Sequence, residues 1–295
     1  MSKKYDTLIL GQVSMDINVD HDGKEIREIG GAVVASGYAA SALGHPTCVL
    51  PKANLEEIDV AAIFARAKHV DVMPLPSAHS TSIQNVYHTA DKERRTCRAL
   101  SRIDPYVVSD MPDIETAIVH IAGLMRGDFG GEIIDWASEH GLCAVDVQCL
   151  LRCAEGTDGI MAFHDWPDKL TYLPKIDFLK TDAAEAEILT GLSDRREAAK
   201  TLHSWGAKEI MITHNTEAIV FDGEQFYTKP LVPRNLSGRT GRGDTCFSAY
   251  ITERLTQPIE QALLTACALV SLKMETPGPF TGSRADVEAY IKAFY

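Results

Sequence analysis

The sequence predicts an α/β protein in which a mostly parallel sheet is covered by helices on both faces. Three observations carry that prediction. Short apolar strands alternate with helical segments along most of the 295 residues, and a helix between two strands returns the chain so that they run parallel. The strand segments, YDTLILG (5–11) among them, are near-continuous apolar runs, the pattern of strands buried on both faces. No internal repeat, low-complexity tract or long linker interrupts the series, so residues 1–295 read as one domain.

The elements follow in order. After the strand at 5–11, the small-residue segment GGAVVASGYAASALG (30–44) reads as a helix entered through Gly30-Gly31 and stopped at Gly44. A strand at 47–51, a helix at 54–67 and a strand at 69–75 come next. Residues 116–123 form a strand, 131–141 a helix, and 142–148 and 175–180 strands. Helices at 182–191 and 194–206 precede a strand at 207–214. Apolar periodicity and flanking glycines set these assignments. Two segments break the rhythm. Residues 14–30, with a turn at Asp22-Gly23, and 80–100, with polar residues around Asp91, alternate as hairpins do. They form either a small β-sheet lid or antiparallel edges of the main sheet.

Composition narrows the function classes. With 45% hydrophobic and 24% charged residues, the chain is neither disordered, fibrous nor a polytopic membrane protein. Its 29 Lys and Arg against 41 Asp and Glu give a formal net charge of −12, which disfavours nucleic-acid partners. No apolar run approaches the ~20 residues of a spanning helix, so no membrane partner is expected. The opening MSKKYDTLILG lacks the longer apolar region of a secretory peptide. The seven scattered cysteines read as reduced thiols, and the expected location is cytoplasmic.

The segment LSGRTGRGDTCFSAYITERL (236–255) carries the chemistry. Gly238, Gly241 and Gly243 lead into a helix whose apolar face is Phe247, Tyr250, Ile251 and Leu255. Free N–H groups and the helix dipole make its N-terminus an anion site. Asp244 stands in the first turn. It is either a cap or a base that takes a proton from a hydroxyl attacking phosphorus. The P-loop pattern and the dinucleotide fingerprint are both missing, which argues against an oxidoreductase.

TGRGD (240–244) with its apolar helix resembles the C-terminal signature of the ribokinase family, the PfkB-type carbohydrate kinases. GGAVVASGYAASALG, GQVSMD (11–16), DFLKTDAAEAEILTG (177–191) and IMITHNTEA (210–218) resemble further family segments, in family order and over nearly the whole chain. AVDVQCLLR (144–152), with Asp146, Gln148 and Arg152, looks more like the inositol-kinase branch. The resemblance implies a ribokinase-like three-layer sandwich, with a lid formed by insertions at about 14–30 and 80–100. It implies transfer of the ATP γ-phosphoryl group, with Mg²⁺, to a hydroxyl of a sugar or a cyclitol such as myo-inositol. Asp244 falls on the catalytic base, and Gly241, Arg242 and Gly243 on the anion hole. Asp16, Gly30, Gly31 and Gln148 fall on the acceptor site. Asp182 and Glu185 fall on positions that organise magnesium through water, and Thr213 and Asn215 on the nucleotide segment.

Several positions depart from the family pattern. Gly238 stands where an Asp is linked to a monovalent-cation site, which makes that cation doubtful. Arg242 replaces an Ala and either reaches a phosphate or faces solvent. Ala35 replaces an Asn of ribose-type enzymes, so ribose is disfavoured. Asp182 replaces an Asn. Asp146 either contacts substrate or caps the next turn. The run Lys92-Glu93-Arg94-Arg95 is a solvated turn, or lies over the acceptor. A nucleoside kinase and a non-catalytic sugar-binding regulator are the competing functions, and a homodimer through the lid is expected to be possible.

Overall fold

The computed structural model describes residues 3–89 and 94–295. The apolar runs of the sequence build a ten-stranded sheet. From one edge its strands are Phe226–Pro230, Glu217–Phe221, Glu209–Thr213, Phe178–Asp182, Leu142–Asp146, Glu115–Ile121, Lys4–Gln12, Thr47–Ala53 and Val70–Val72, with Leu75–Pro76 also paired to Thr47–Ala53. The strands are parallel except for an antiparallel edge made by Glu217–Phe221 and Phe226–Pro230. Leu8, Ile9 and Leu10 are fully buried at its centre, as strands covered on both faces require.

Two helical layers cover this sheet. Helices Gly131–His140, Ala183–Thr190 and Arg195–Ser204 pack one face through Ile133, Leu189 and Leu202. On the other, Arg242–Glu253, Ile259–Lys273 and Arg284–Phe294 pack through Phe247, Leu269 and Val287. Helix Ala32–Ala42 joins this second layer. Most of its buried residues are Ala, Ser or Gly, and Ser248 Oγ of Arg242–Glu253 donates to the Ser36 carbonyl at 2.8 Å. The result is the three-layer ribokinase-type sandwich.

The segments that break the βα rhythm form a separate six-stranded sheet rather than edges of the main one. Ser14–Val19 pairs with Glu25–Gly30, and Thr81–Tyr87 with Arg95–Ser101, both antiparallel. Ser14–Val19 and Thr81–Tyr87 run parallel in the middle. A third hairpin, Arg152–Glu155 with Ile160–Phe163, extends the sheet beyond Arg95–Ser101. Its strands are too short to carry an alternation signal, so the sequence reading missed it.

The expected helix over 54–67 shrinks to Val60–Phe64, started by Asp59, whose carboxylate accepts from the Ala62 N–H. The expected strand over 69–75 divides into Val70–Val72 and Leu75–Pro76. Proline at 74 and 76 withholds the N–H groups a continuous strand needs. Asp91, Lys92 and Glu93 of the second hairpin's turn lie outside the described residues. All seven cysteines are free thiols. No helix of the described residues is long and apolar enough to cross a membrane.

Candidate active site

The anion-site helix begins at Arg242, after Gly241 in the left-handed region (φ 74°). A side chain at 241 would strain that turn and would come within 3.2 Å of the Ala35 methyl. Thus Ala35 lies directly against the glycine loop and offers it no hydrogen bond. Asp244 occupies the first turn but is not the helix's N-cap, a place held by Gly241. Burial pushes its carboxyl up to about 6, with Asp146 adding to the rise and Lys180 and Lys273 opposing it. A carboxylate poised near neutrality beside a row of free N–H groups suits proton transfer.

Beneath the loop lies a lysine that sequence reading did not single out. Lys180, in the strand Phe178–Asp182, is buried, and its Nζ meets Asp146 Oδ2 at 2.9 Å and approaches Glu185 Oε2 at 3.9 Å. A Cβ on Gly243 would lie 3.2 Å from that same Nζ, so the ammonium faces the loop from below. Burial opposes its charge, but Asp146, Glu185 and Asp244 together hold it well above the ordinary lysine range. Asp146 is therefore engaged by Lys180, and it also accepts from the Gln148 N–H at 3.1 Å. It acts as an ion-pair partner and a turn cap. Gln148 opens the helix Gln148–Leu151 at the same strand end. A lone lysine inside the apolar strand KIDFLK was the available signal.

Asp182 and Glu185 form a capping box: each carboxylate accepts from the other's main-chain N–H at 2.8 Å. Burial pushes Glu185 up to about 7, against the pull of Lys180. Among the described residues no group of three or more His, Cys, Asp or Glu side chains could hold a metal ion directly. The box leaves Asp182 Oδ2 and Glu185 Oε1 outside its own two bonds, a donor set that fits a hydrated cation held through water rather than directly.

Arg242 donates to Asn215 Oδ1, and its guanidinium is lowered by burial and by the neighbouring charge of Arg239. That bond bridges the glycine loop to the turn after the strand Glu209–Thr213. Thr213 lines a small recess together with His214, Glu217, Leu231, Arg242, Gly243 and Cys246. Lys273, a second lysine missed in the sequence, donates to Gly238 O at 2.6 Å and to Thr240 O. Burial pushes it down to about 8, and Asp244 opposes the shift.

Asp16 stands on the strand Ser14–Val19 of the second sheet. It accepts from Ser14 Oγ at 2.9 Å, and a Cβ on Gly30 would lie 2.6 Å from its carboxylate. Burial raises its pKa, while the charges of Arg152 and Arg95 counter the rise. Arg95 is itself exposed, and its charge reaches Asp16. Gly31 caps helix Ala32–Ala42, so Asp16 and the Gly30-Gly31 pair are neighbours, as the sequence expected. Gln148, Asp182 and Thr213 lie at or just beyond the C-terminal ends of main-sheet strands, where open α/β sheets bind ligands.

A glycine-loop helix terminus with an embedded acid, set against a polar patch on a second sheet, defines a phosphotransferase that acts on a hydroxyl. The comparisons agree. The model of the pfkB family carbohydrate kinases matches residues 132–285. A pyrophosphate-dependent kinase of the ribokinase family, solved as a sulfate complex, is 38% identical and superposes with a TM-score of 0.87 over 96% of this chain and 99% of its own. A pyrophosphate-dependent kinase of that family solved with a pyrophosphate analogue and myo-inositol is 37% identical, with a TM-score of 0.86 over 96% and 99%. The cytidine kinase of Thermococcus kodakarensis is 23% identical over 270 residues, 83% of this chain and 87% of its own. The chain belongs to the ribokinase family of carbohydrate kinases.

Proposed function

We propose that this kinase phosphorylates a hydroxyl of a ring polyol of the myo-inositol type and takes the phosphoryl group from pyrophosphate. The observation that carries the donor is the Arg242–Asn215 bridge at the start of the glycine-loop helix. A compact tetra-anion suits Arg242, Arg239 and the helix terminus. The two relatives at 37–38% identity are described as pyrophosphate-dependent, and one holds myo-inositol. On the acceptor side, Asp16 accepts from vicinal hydroxyls and Arg152 or Arg95 donates to them, while Ala35 makes no bond of the kind a ribose site uses. Gln148 is a further donor and acceptor at that end, and the second sheet serves as the lid.

In the reaction, Asp244 takes the acceptor's hydroxyl proton as the oxygen attacks one phosphorus of pyrophosphate. The P–O–P bridge breaks, and orthophosphate leaves with the bridging oxygen. The N–H groups of Gly241, Arg242 and Gly243 receive the charge on the phosphoryl oxygens, with the Lys180 ammonium behind them. Mg²⁺, held through water by Asp182 and Glu185, neutralises donor oxygens when bound.

The test measures orthophosphate release from pyrophosphate, and ADP release from ATP, against myo-inositol, ribose, fructose, adenosine and cytidine. We expect the highest kcat/KM for pyrophosphate with myo-inositol. Turnover with ATP alone restores the nucleotide as donor, with Thr213 and Asn215 on its side of the site. A nucleoside as the best acceptor overturns the polyol assignment. Acceptor-independent silence with both donors, together with tight myo-inositol binding, supports the non-catalytic regulator instead.

A further inference from the structure

The loop 238–240 delivers the chain to the phosphoryl site, and its construction answers the question raised by the missing acid at position 238. Gly238 is buried, its N–H donates to the Met274 carbonyl at 2.7 Å, and a Cβ built on it would overlap the Thr276 carbonyl group and lie 3.0 Å from Pro277 N. Those are main-chain atoms and do not yield easily. An Asp, the cation-linked residue of the family pattern, therefore does not fit here without moving the backbone at 276–277.

A positive charge already stands against this loop. Lys273 closes the helix Ile259–Lys273 and is 1% exposed. Its Nζ bonds two carbonyl oxygens of the same loop, Gly238 O at 2.6 Å and Thr240 O. Converging carbonyls on one positive centre are how backbone ligates a monovalent cation, and an ammonium with three N–H donors meets the same oxygens. The carboxylate whose charge it feels is Asp244. A buried ammonium is expensive unless its partners are in place, and here the partners are the loop that sets the anion hole.

We propose that the Lys273 ammonium is this kinase's built-in monovalent cation: it holds loop 238–240 in register for Gly241–Asp244 and makes added potassium unnecessary. Lys273 acts as a positioning residue through the loop. A metal ion cannot share its two carbonyls, because two like charges would then lie within a few ångströms in a dry site. The inference rests on reading residues 241–244 as the phosphoryl site.

The test compares potassium, ammonium, sodium and tetramethylammonium chlorides at constant ionic strength. For the parent, the melting temperature and the transfer rate should be the same in all four salts. Lys273→Met keeps the length and removes the charge. Its rate should fall by roughly 10- to 100-fold, the loss expected when a catalytic loop shifts, with the donor KM rising more than the acceptor KM. Potassium or ammonium should restore part of the rate and raise the variant's melting temperature, and tetramethylammonium should do neither. Potassium activation of the parent by several fold overturns the proposal, as does a folded Lys273→Met that matches the parent in every salt. If Lys273→Met does not fold, the salt series on the parent decides. If no donor–acceptor pair supports turnover, the site reading has failed, and the melting temperatures still decide the cation question.

Discussion

The two sides of the cleft are built differently. On the donor side, residues 238–244 form one continuous stretch, and its binding groups are main-chain N–H groups at a helix terminus. The buried ammoniums of Lys180 and Lys273 back that stretch from two other elements. On the acceptor side, Asp16, Arg95 and Arg152 come from three strands of the second sheet and meet only through its pairing. A main-chain cradle recognises the charge and size of any phosphate, whereas separated side chains recognise one arrangement of hydroxyls. Under the proposed function, the donor side sets the reaction and the acceptor side sets the substrate, so a variant on one side should leave the other side's affinity alone.

The largest expected break in that comparison is at the base. Asp244→Asn preserves shape and removes basicity, so kcat should fall by about 10²–10⁴-fold, the usual contribution of a general base. Myo-inositol affinity, measured by calorimetry, should stay within a few fold. Loss of acceptor binding instead would move Asp244 to the other side of the cleft.

Lys180→Met should act next, on stability as well as rate. It leaves Asp146 and Glu185 buried without their cation, and removing one partner of a buried pair destabilises by about 3–5 kcal/mol. Urea unfolding measures that. The surviving activity should also show Asp244 titrating at higher pH than in the parent, because Lys180 opposes the rise of its pKa. A parent-like unfolding midpoint would remove Lys180 from the cluster.

Asp16→Ala sharpens the comparison from the acceptor side. Loss of a charge-assisted hydrogen bond costs about 1.5–3 kcal/mol, read as a rise in the myo-inositol KM. The donor KM should be unchanged, and equal effects on both would dissolve the division of labour.

The smallest effect is in the pH dependence. Asp244 must be ionised to act, so kcat should rise with pH through about 6 and then level. Stability runs the other way for the same groups. Asp244 and Glu185 have folded-state pKa values raised to about 6 and about 7, so the folded chain holds protons that the unfolded chain releases. Their contribution is fully present below their unfolded values near pH 4, and is lost as pH rises through 7. Urea midpoints at pH 5 and 7 should differ in that direction, and more weakly in Asp244→Asn.

The sequence alone determined most local features, though not the division of 69–75 or the hairpin at Arg152–Phe163. Parallel strands follow from apolar runs separated by helices, the anion site from three glycines ahead of an amphipathic helix, and the two hairpins from alternation around 14–30 and 80–100. All of these depend on residues within one or two turns of each other, where spacing carries the physics. Only the tertiary structure decided that those hairpins leave the main sheet and join a third at Arg152–Phe163. It also decided that Asp146 belongs to Lys180, that Arg242 reaches Asn215, and that Lys273 bonds the carbonyls of Gly238 and Thr240. Each of those contacts joins elements at least 27 residues apart. Pairing over such distances is set by how helices and strands stack to bury apolar surface, and a buried lysine looks the same in sequence as an exposed one until that stacking encloses it.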